Sequence, residues 1–88
     1  MIFRADVRVQ LKTSVNDPQG LSIRGALHSL GFAGVHDVRA GKLISMQLEA
    51  ASRVEAEQSV DQMCAKLLAN PVIETYSFEL SAVETPAL

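Results

Sequence analysis

The sequence predicts an α+β fold in the order βαββαβ, a four-stranded antiparallel sheet with two helices on one face. Three observations carry that expectation. Apolar residues recur at every second position in three stretches, the middle one long enough for two strands; two intervening segments switch to helical spacing; and each of those segments opens on a cap signal.

From Phe3 to Lys12 the alternation is unbroken. Phe3, Ala5, Val7, Val9 and Leu11 share one face and Arg4, Asp6, Arg8, Gln10 and Lys12 the other, as a strand with one buried face requires. Asp17 then stands as N-cap, and Pro18 at the first helical position, where its missing N–H would have been an orphan donor. The helix runs to Leu30 on a stripe of Ile23, Ala26, Leu27 and Leu30, and Gly31 is placed for the left-handed residue that ends it. Gly25 in its middle lowers helix stability by about 1 kcal/mol relative to Ala.

Between Val35 and Ala50 the period returns to two. Val38 and Ala40 lead through Gly41 to Ile44, Met46, Leu48 and Ala50, which predicts a hairpin turning near Ala40-Gly41. Ser52 and Glu55 have capping-box spacing, and Ala56, Val60, Met63, Cys64 and Leu67 give the second helix its stripe. That helix stops before Pro71, which biases Asn70 away from helical backbone. A last strand sets Val72, Glu74, Tyr76, Phe78 and Leu80 against Ile73, Thr75, Ser77 and Glu79. Residues 1–80 then form one domain and 81–88 a frayed tail. Two strand-helix-strand units with right-handed crossovers make the whole a ferredoxin-like arrangement.

Bulk composition narrows the function classes. A chain of 88 residues holds one core and buries only somewhat more than about 60% of its unfolded surface, so self-association would help it. Apolar residues at 48% and charged residues at 20% are those of a globular protein rather than a disordered one. A net charge of −2, with aromatic residues not interleaved among basic ones, argues against nucleic acid as a partner. No apolar run approaches the roughly 18 residues a membrane span needs, and the first residues alternate instead of forming a signal-peptide core, so the expected location is cytoplasmic. The single cysteine, Cys64, fits a reducing compartment.

Little in the sequence offers catalytic chemistry. His28 and His36 lack ligand spacing, so no metal site is expected. Cys64 lies on the second apolar stripe, where a thiol is buried and inert rather than nucleophilic. No phosphate cradle, nucleophile elbow or carboxylate pair is visible, and no catalytic residue is assigned. The joints between elements carry more. Gln19 and Gly20 exceed what capping at Asp17-Pro18 requires; Arg39, Gly41 and Lys42 set two cations around a glycine at the expected hairpin tip; and Asn70-Pro71 closes the second helix. These seven residues are the candidate partner contacts, with cap and solvated-turn chemistry as the competing reading.

Four stretches occur in an order that resembles one family: L-K-x-x-V-x-D-P-Q-G (Leu11 to Gly20), A-L-H-x-L-G-F (Ala26 to Phe32), D-V-R-x-G-K (Asp37 to Lys42) and M-C-x-K-L-L-A-N-P-V-I-E (Met63 to Glu74). Together they resemble the PurS family, the small subunits of phosphoribosylformylglycinamidine synthase, across residues 3–80. The chain departs from the family pattern at Thr13-Ser14, often Pro-Gly, at Gly25, usually basic, and at Ser45, commonly acidic. The resemblance implies a non-catalytic assembly subunit of a purine-biosynthesis complex. In that complex a glutaminase (PurQ-type) subunit releases ammonia from glutamine. A synthetase (PurL-type) subunit, holding ATP and Mg, activates the amide of formylglycinamide ribonucleotide. The small subunit bridges the two as a homodimer, binding no cofactor itself.

Two readings from other classes share the βαββαβ order. An ACT-like regulatory domain would bind an amino acid at the loop after the first strand, where Asn16 to Gly20 lie. An acylphosphatase would need an Arg in its anion loop, and Lys12 to Gly20 contains none.

Overall fold

The computed structural model describes residues 1–83. Its elements are β1 (Ile2–Leu11), α1 (Pro18–Ser29), β2 (Gly41–Glu49), α2 (Arg53–Met63), a π-helical turn (Cys64–Leu68) and β3 (Glu74–Val83). The strands form one antiparallel sheet in the order β2-β1-β3, so β1 is central.

The alternation of β1 puts Phe3, Ala5, Val7 and Val9 in the core, each at most 1% exposed. Cross-strand partners extend this face in rows: Leu48, Phe3 and Ala82; Met46, Ala5 and Leu80; Ile44, Val7 and Phe78. On these rows α2 lays Ala56 and Val60 and the π-helical turn lays Cys64, one turn apart and all buried. The capping box holds, with Ser52 Oγ accepting from the Glu55 N–H at 3.2 Å, while the Glu55 carboxylate reaches back to the N–H of Ala51.

Three expectations are corrected. The hairpin at Ala40-Gly41 is absent: residues 35–40 form no strand, and the chain runs straight on into β2, whose Gly41 pairs with Gln10. The described sheet therefore has three strands, not four. Nor do both helices share a face. Since β1 and β2 are antiparallel neighbours, residues 12–40 leave and re-enter at the same end of the sheet, and α1 projects beyond it instead of folding back. Only Gly20 of α1 is buried, and its stripe is open, with Ile23 40% and Leu30 73% exposed. Hydrophobic period shows that a face is to be covered, not which neighbour covers it. The radius of gyration is 16.7 Å, against about 12 Å for a compact domain of this length.

The third correction concerns the ends of the later elements. In the π-helical turn the Ala69 N–H reaches the Cys64 carbonyl, five residues back, at 3.0 Å. The inserted residue rotates the stripe, so Leu67, expected inside, is 83% exposed and Ala69 takes the buried place. Asn70 then accepts from the N–H groups of Val72, Ile73 and Glu74, which makes 70–73 a turn and starts β3 at Glu74 rather than Val72. Ser81, Ala82 and Val83, expected in the tail, pair with Arg4, Phe3 and Ile2. The rest of that tail, residues 84–88, lies outside the described residues.

Candidate functional site

Asp17 organises the end of the sheet from which α1 leaves. As N-cap it accepts from the Gly20 N–H through Oδ1 at 3.1 Å, and its Oδ2 accepts from the Ala40 N–H at 2.7 Å. One carboxylate thus caps the helix and ties its base to the segment that leads into β2. The two N–H groups, Gly20 first and then Ala40, hold the carboxyl below its ordinary pKa, and the Arg39 charge adds to them. Gly20 sits against this tie with no room for a side chain, since a Cβ there would run into the Val38 carbonyl oxygen.

Arg39 completes the joint from the other side. Its guanidinium donates to the carbonyls of Lys12 and Val15, both at 2.8 Å, bracing the 12–15 turn. That cation is engaged within the chain, whereas Lys42, also a candidate, is exposed. The third joint adjoins the first, because the Lys12 N–H donates to Ile73 O at 2.8 Å. Asn70 is occupied by its own turn and by Glu74, whose Oε1 accepts from the Asn70 N–H at 2.7 Å. Pro71 is exposed beside it.

Where the three joints meet there is an open cleft of about 300 Å³, lined by Gln10, Asp17, Gln19, Gly41, Lys42 and Glu74 among others. Val9, opposite Lys42, and Leu11, opposite Glu74, belong to the core-side set of β1, so this cation and carboxylate flank the end of the face that α2 covers farther along. Gly41 permits the close approach of β2 to β1 here: a Cβ would lie 2.6 Å from Val9 O. Of the seven sequence candidates, Gln19, Gly41 and Lys42 line the cleft, Gly20 and Arg39 adjoin lining residues in the chain without lining it themselves, and Asn70 and Pro71 stand at the neighbouring turn. Sequence reasoning missed Glu74 and the second bond of Asp17. D-P signals a cap, but no local pattern signals a partner at Ala40.

Elsewhere several polar groups are paired structurally. His28 Nε2 lies 2.6 Å from Val35 O, and His36 is exposed. Burial, with Asp61 nearby, pushes the Cys64 thiol up. The Tyr76 hydroxyl donates to Asp61 at 2.7 Å, which raises its pKa. On the outer sheet face Asp6 accepts from Ser45 and Arg4, and Arg8 pairs with Glu79. Among the described residues no three His, Cys, Asp or Glu are placed to hold a metal ion, and no helix is long and apolar enough to cross a membrane. The chemistry on offer at the cleft is recognition by charge and amide groups.

Comparison with known proteins places this architecture. The family model described as PurS, phosphoribosylformylglycinamidine (FGAM) synthase, matches residues 4–82. The PurS subunit of phosphoribosylformylglycinamidine synthase from Synechocystis is 45% identical over 82 residues, 93% of this chain and 82% of that protein. A solved structure of Bacillus subtilis PurS aligns with TM-score 0.81 at 44% identity, covering 91% of this chain and 99% of that one. A chain in the structure of PurLQS from Thermotoga maritima aligns with TM-score 0.85 at 32% identity, covering 92% and 99%. Sharing both sequence and fold with these proteins over nearly its whole length, the chain belongs to the PurS family and is a subunit of the FGAM synthase of purine biosynthesis.

Proposed function

We propose that the chain is a non-catalytic assembly subunit. As a homodimer it bridges the glutaminase (PurQ-type) and synthetase (PurL-type) subunits and supports ammonia transfer between them, for the ATP- and glutamine-dependent conversion of formylglycinamide ribonucleotide to formylglycinamidine ribonucleotide. ATP and Mg belong to the synthetase subunit, and the setting is cytoplasmic. The observation that carries this reading is the α1 arm, which takes an apolar stripe away from the chain's own core. A chain that leaves Ile23, Leu27 and Leu30 without a core of their own is built to be completed by another.

The first partner is a second copy. On the sheet, Ile44, Met46 and Leu48 are only half-buried, since α2 covers part of that face. Arms exchanged between two copies would lay each α1 stripe on the partner's sheet. They would also set each 35–40 segment along an open strand edge, restoring from two chains the four-stranded, two-helix sandwich that the sequence pattern describes. The cleft, with Lys42 and Glu74 at its rim, is the proposed contact for the large subunits, together with Gln19, Gly20, Arg39, Gly41, Asn70 and Pro71. The PurLQS structure that contains the Thermotoga relative supports large-subunit partners of these two kinds.

The test is reconstitution. Synthetase and glutaminase subunits supplied with glutamine, ATP, Mg and formylglycinamide ribonucleotide should form product only when this chain is added, and the pure chain should show no glutaminase, ATPase or amidotransferase turnover. Turnover by the pure chain, or product formation indifferent to it, overturns the proposal. Heat from titrating amino acids into the free protein would favour the ACT-like reading instead.

A further inference from the structure

We infer that Asp17 and Arg39 form a two-point clamp that holds the α1 arm as a rigid, pre-ordered projection, making them positioning residues for self-association. The inference rests on the reading that a second copy receives the arm. An arm joined to a sheet only by two peptide strands would swing, and a second copy would have to order it on binding at an entropic cost. Here both connections are fastened. The outgoing one, residues 12–17, is held by Arg39 through the carbonyls of Lys12 and Val15, at 2.8 Å each, and by Lys12 N–H to Ile73 O. The returning one, residues 38–40, is held to the helix base by Asp17 Oδ2 on the Ala40 N–H at 2.7 Å. Gly20 lets the first turn of α1 sit directly on the Val38 carbonyl, so the two connections are in contact as well as bonded. Asp17 is 5% exposed and Gly20 is buried, whereas the rest of α1 is exposed or half-buried, so this base is the part of the arm with an interior.

Hydrogen exchange and sedimentation on two variants test the clamp. Asp17→Asn keeps an oxygen for the Gly20 cap but presents an N–H donor, which cannot accept, towards Ala40. Arg39→Met keeps the aliphatic stem and removes both carbonyl bonds. In each, the Ala40 amide and the amides of Leu21 to Leu30 should lose protection while those of β1 keep theirs. Self-association should weaken about 10-fold or more, because the loosened arm would then have to be ordered on binding. Unchanged arm protection with a dissociation constant within about twofold of the parent overturns the clamp. So does equal loss of protection in β1, which would make these residues general stabilisers. If the parent protein proves monomeric, the dimer reading fails separately, and the arm-against-β1 exchange comparison still decides whether the clamp orders α1.

Discussion

Gly20 and Gly25 lie five positions apart in the same helix and should respond oppositely to alanine. A Cβ at Gly20 meets backbone, the Val38 carbonyl, which cannot move aside as a side-chain end could. Gly20→Ala should therefore destabilise the protein by about 1–3 kcal/mol, as overpacking does. At Gly25 nothing lies within 4 Å, so Gly25→Ala should stabilise by about 0.4–1 kcal/mol through the unfolded chain and helix propensity. Urea midpoints at constant slope measure both. The Asp17 carboxyl gives a pH signature. Its folded pKa is depressed from 3.8, so its contribution is fully present above that value and is lost as pH falls through the lower, folded one. Acid titration of Asp17→Asn alongside the parent should show the stability difference between them shrinking in that window alone. The two cations separate in the same manner. Lys42→Ala should leave the melting temperature of the free protein unchanged and slow its association with the large subunits in a salt-dependent way. Arg39→Ala, which strands the carbonyls of Lys12 and Val15, should lower that melting temperature.

At the scale of elements, what was legible in the sequence is what local physics decides. The β1 alternation put Phe3, Ala5, Val7, Val9 and Leu11 on one face because a strand has only two, and all but Leu11, which is half-buried, are buried. Asp17-Pro18 and Ser52-x-x-Glu55 marked both helix starts because a cap is satisfied within its own turn, and Gly31 ends α1 at φ +98°. Non-local facts were not legible. Val38 and Ala40 carry strand period, yet Asp17 and Arg39 hold 38–40 to the helix base and leave no hairpin. Leu67 continues the stripe of α2 by count, yet one extra residue in the π-helical turn takes it outside. In the candidate site, Gln19 and Lys42 could be named from composition, but Glu74 enters only because β1 and β3 pair in register. The α1 stripe itself gives a prediction at this scale. Ile23→Asp with Leu30→Asp changes two exposed side chains, so the secondary structure of an isolated chain should be unaltered. If the stripe is received by a second copy, sedimentation should show these variants as monomers where the parent is a dimer.

For the whole molecule the proportions are the argument. Extents of 50 × 29 × 18 Å leave this small chain a modest core on β1 and α2 and a long apolar arm outside it. Folding one such chain alone exposes the very residues that helical period selected for burial. In the proposed homodimer, completion by a second copy would resolve that conflict between local pattern and isolated fold, and it would yield a two-fold particle with a cleft at each arm base. Sedimentation equilibrium of the free protein at micromolar concentration tests this most directly. The expected result is a single species of twice the 9.5 kDa chain mass; a lone 9.5 kDa species across that range would contradict it.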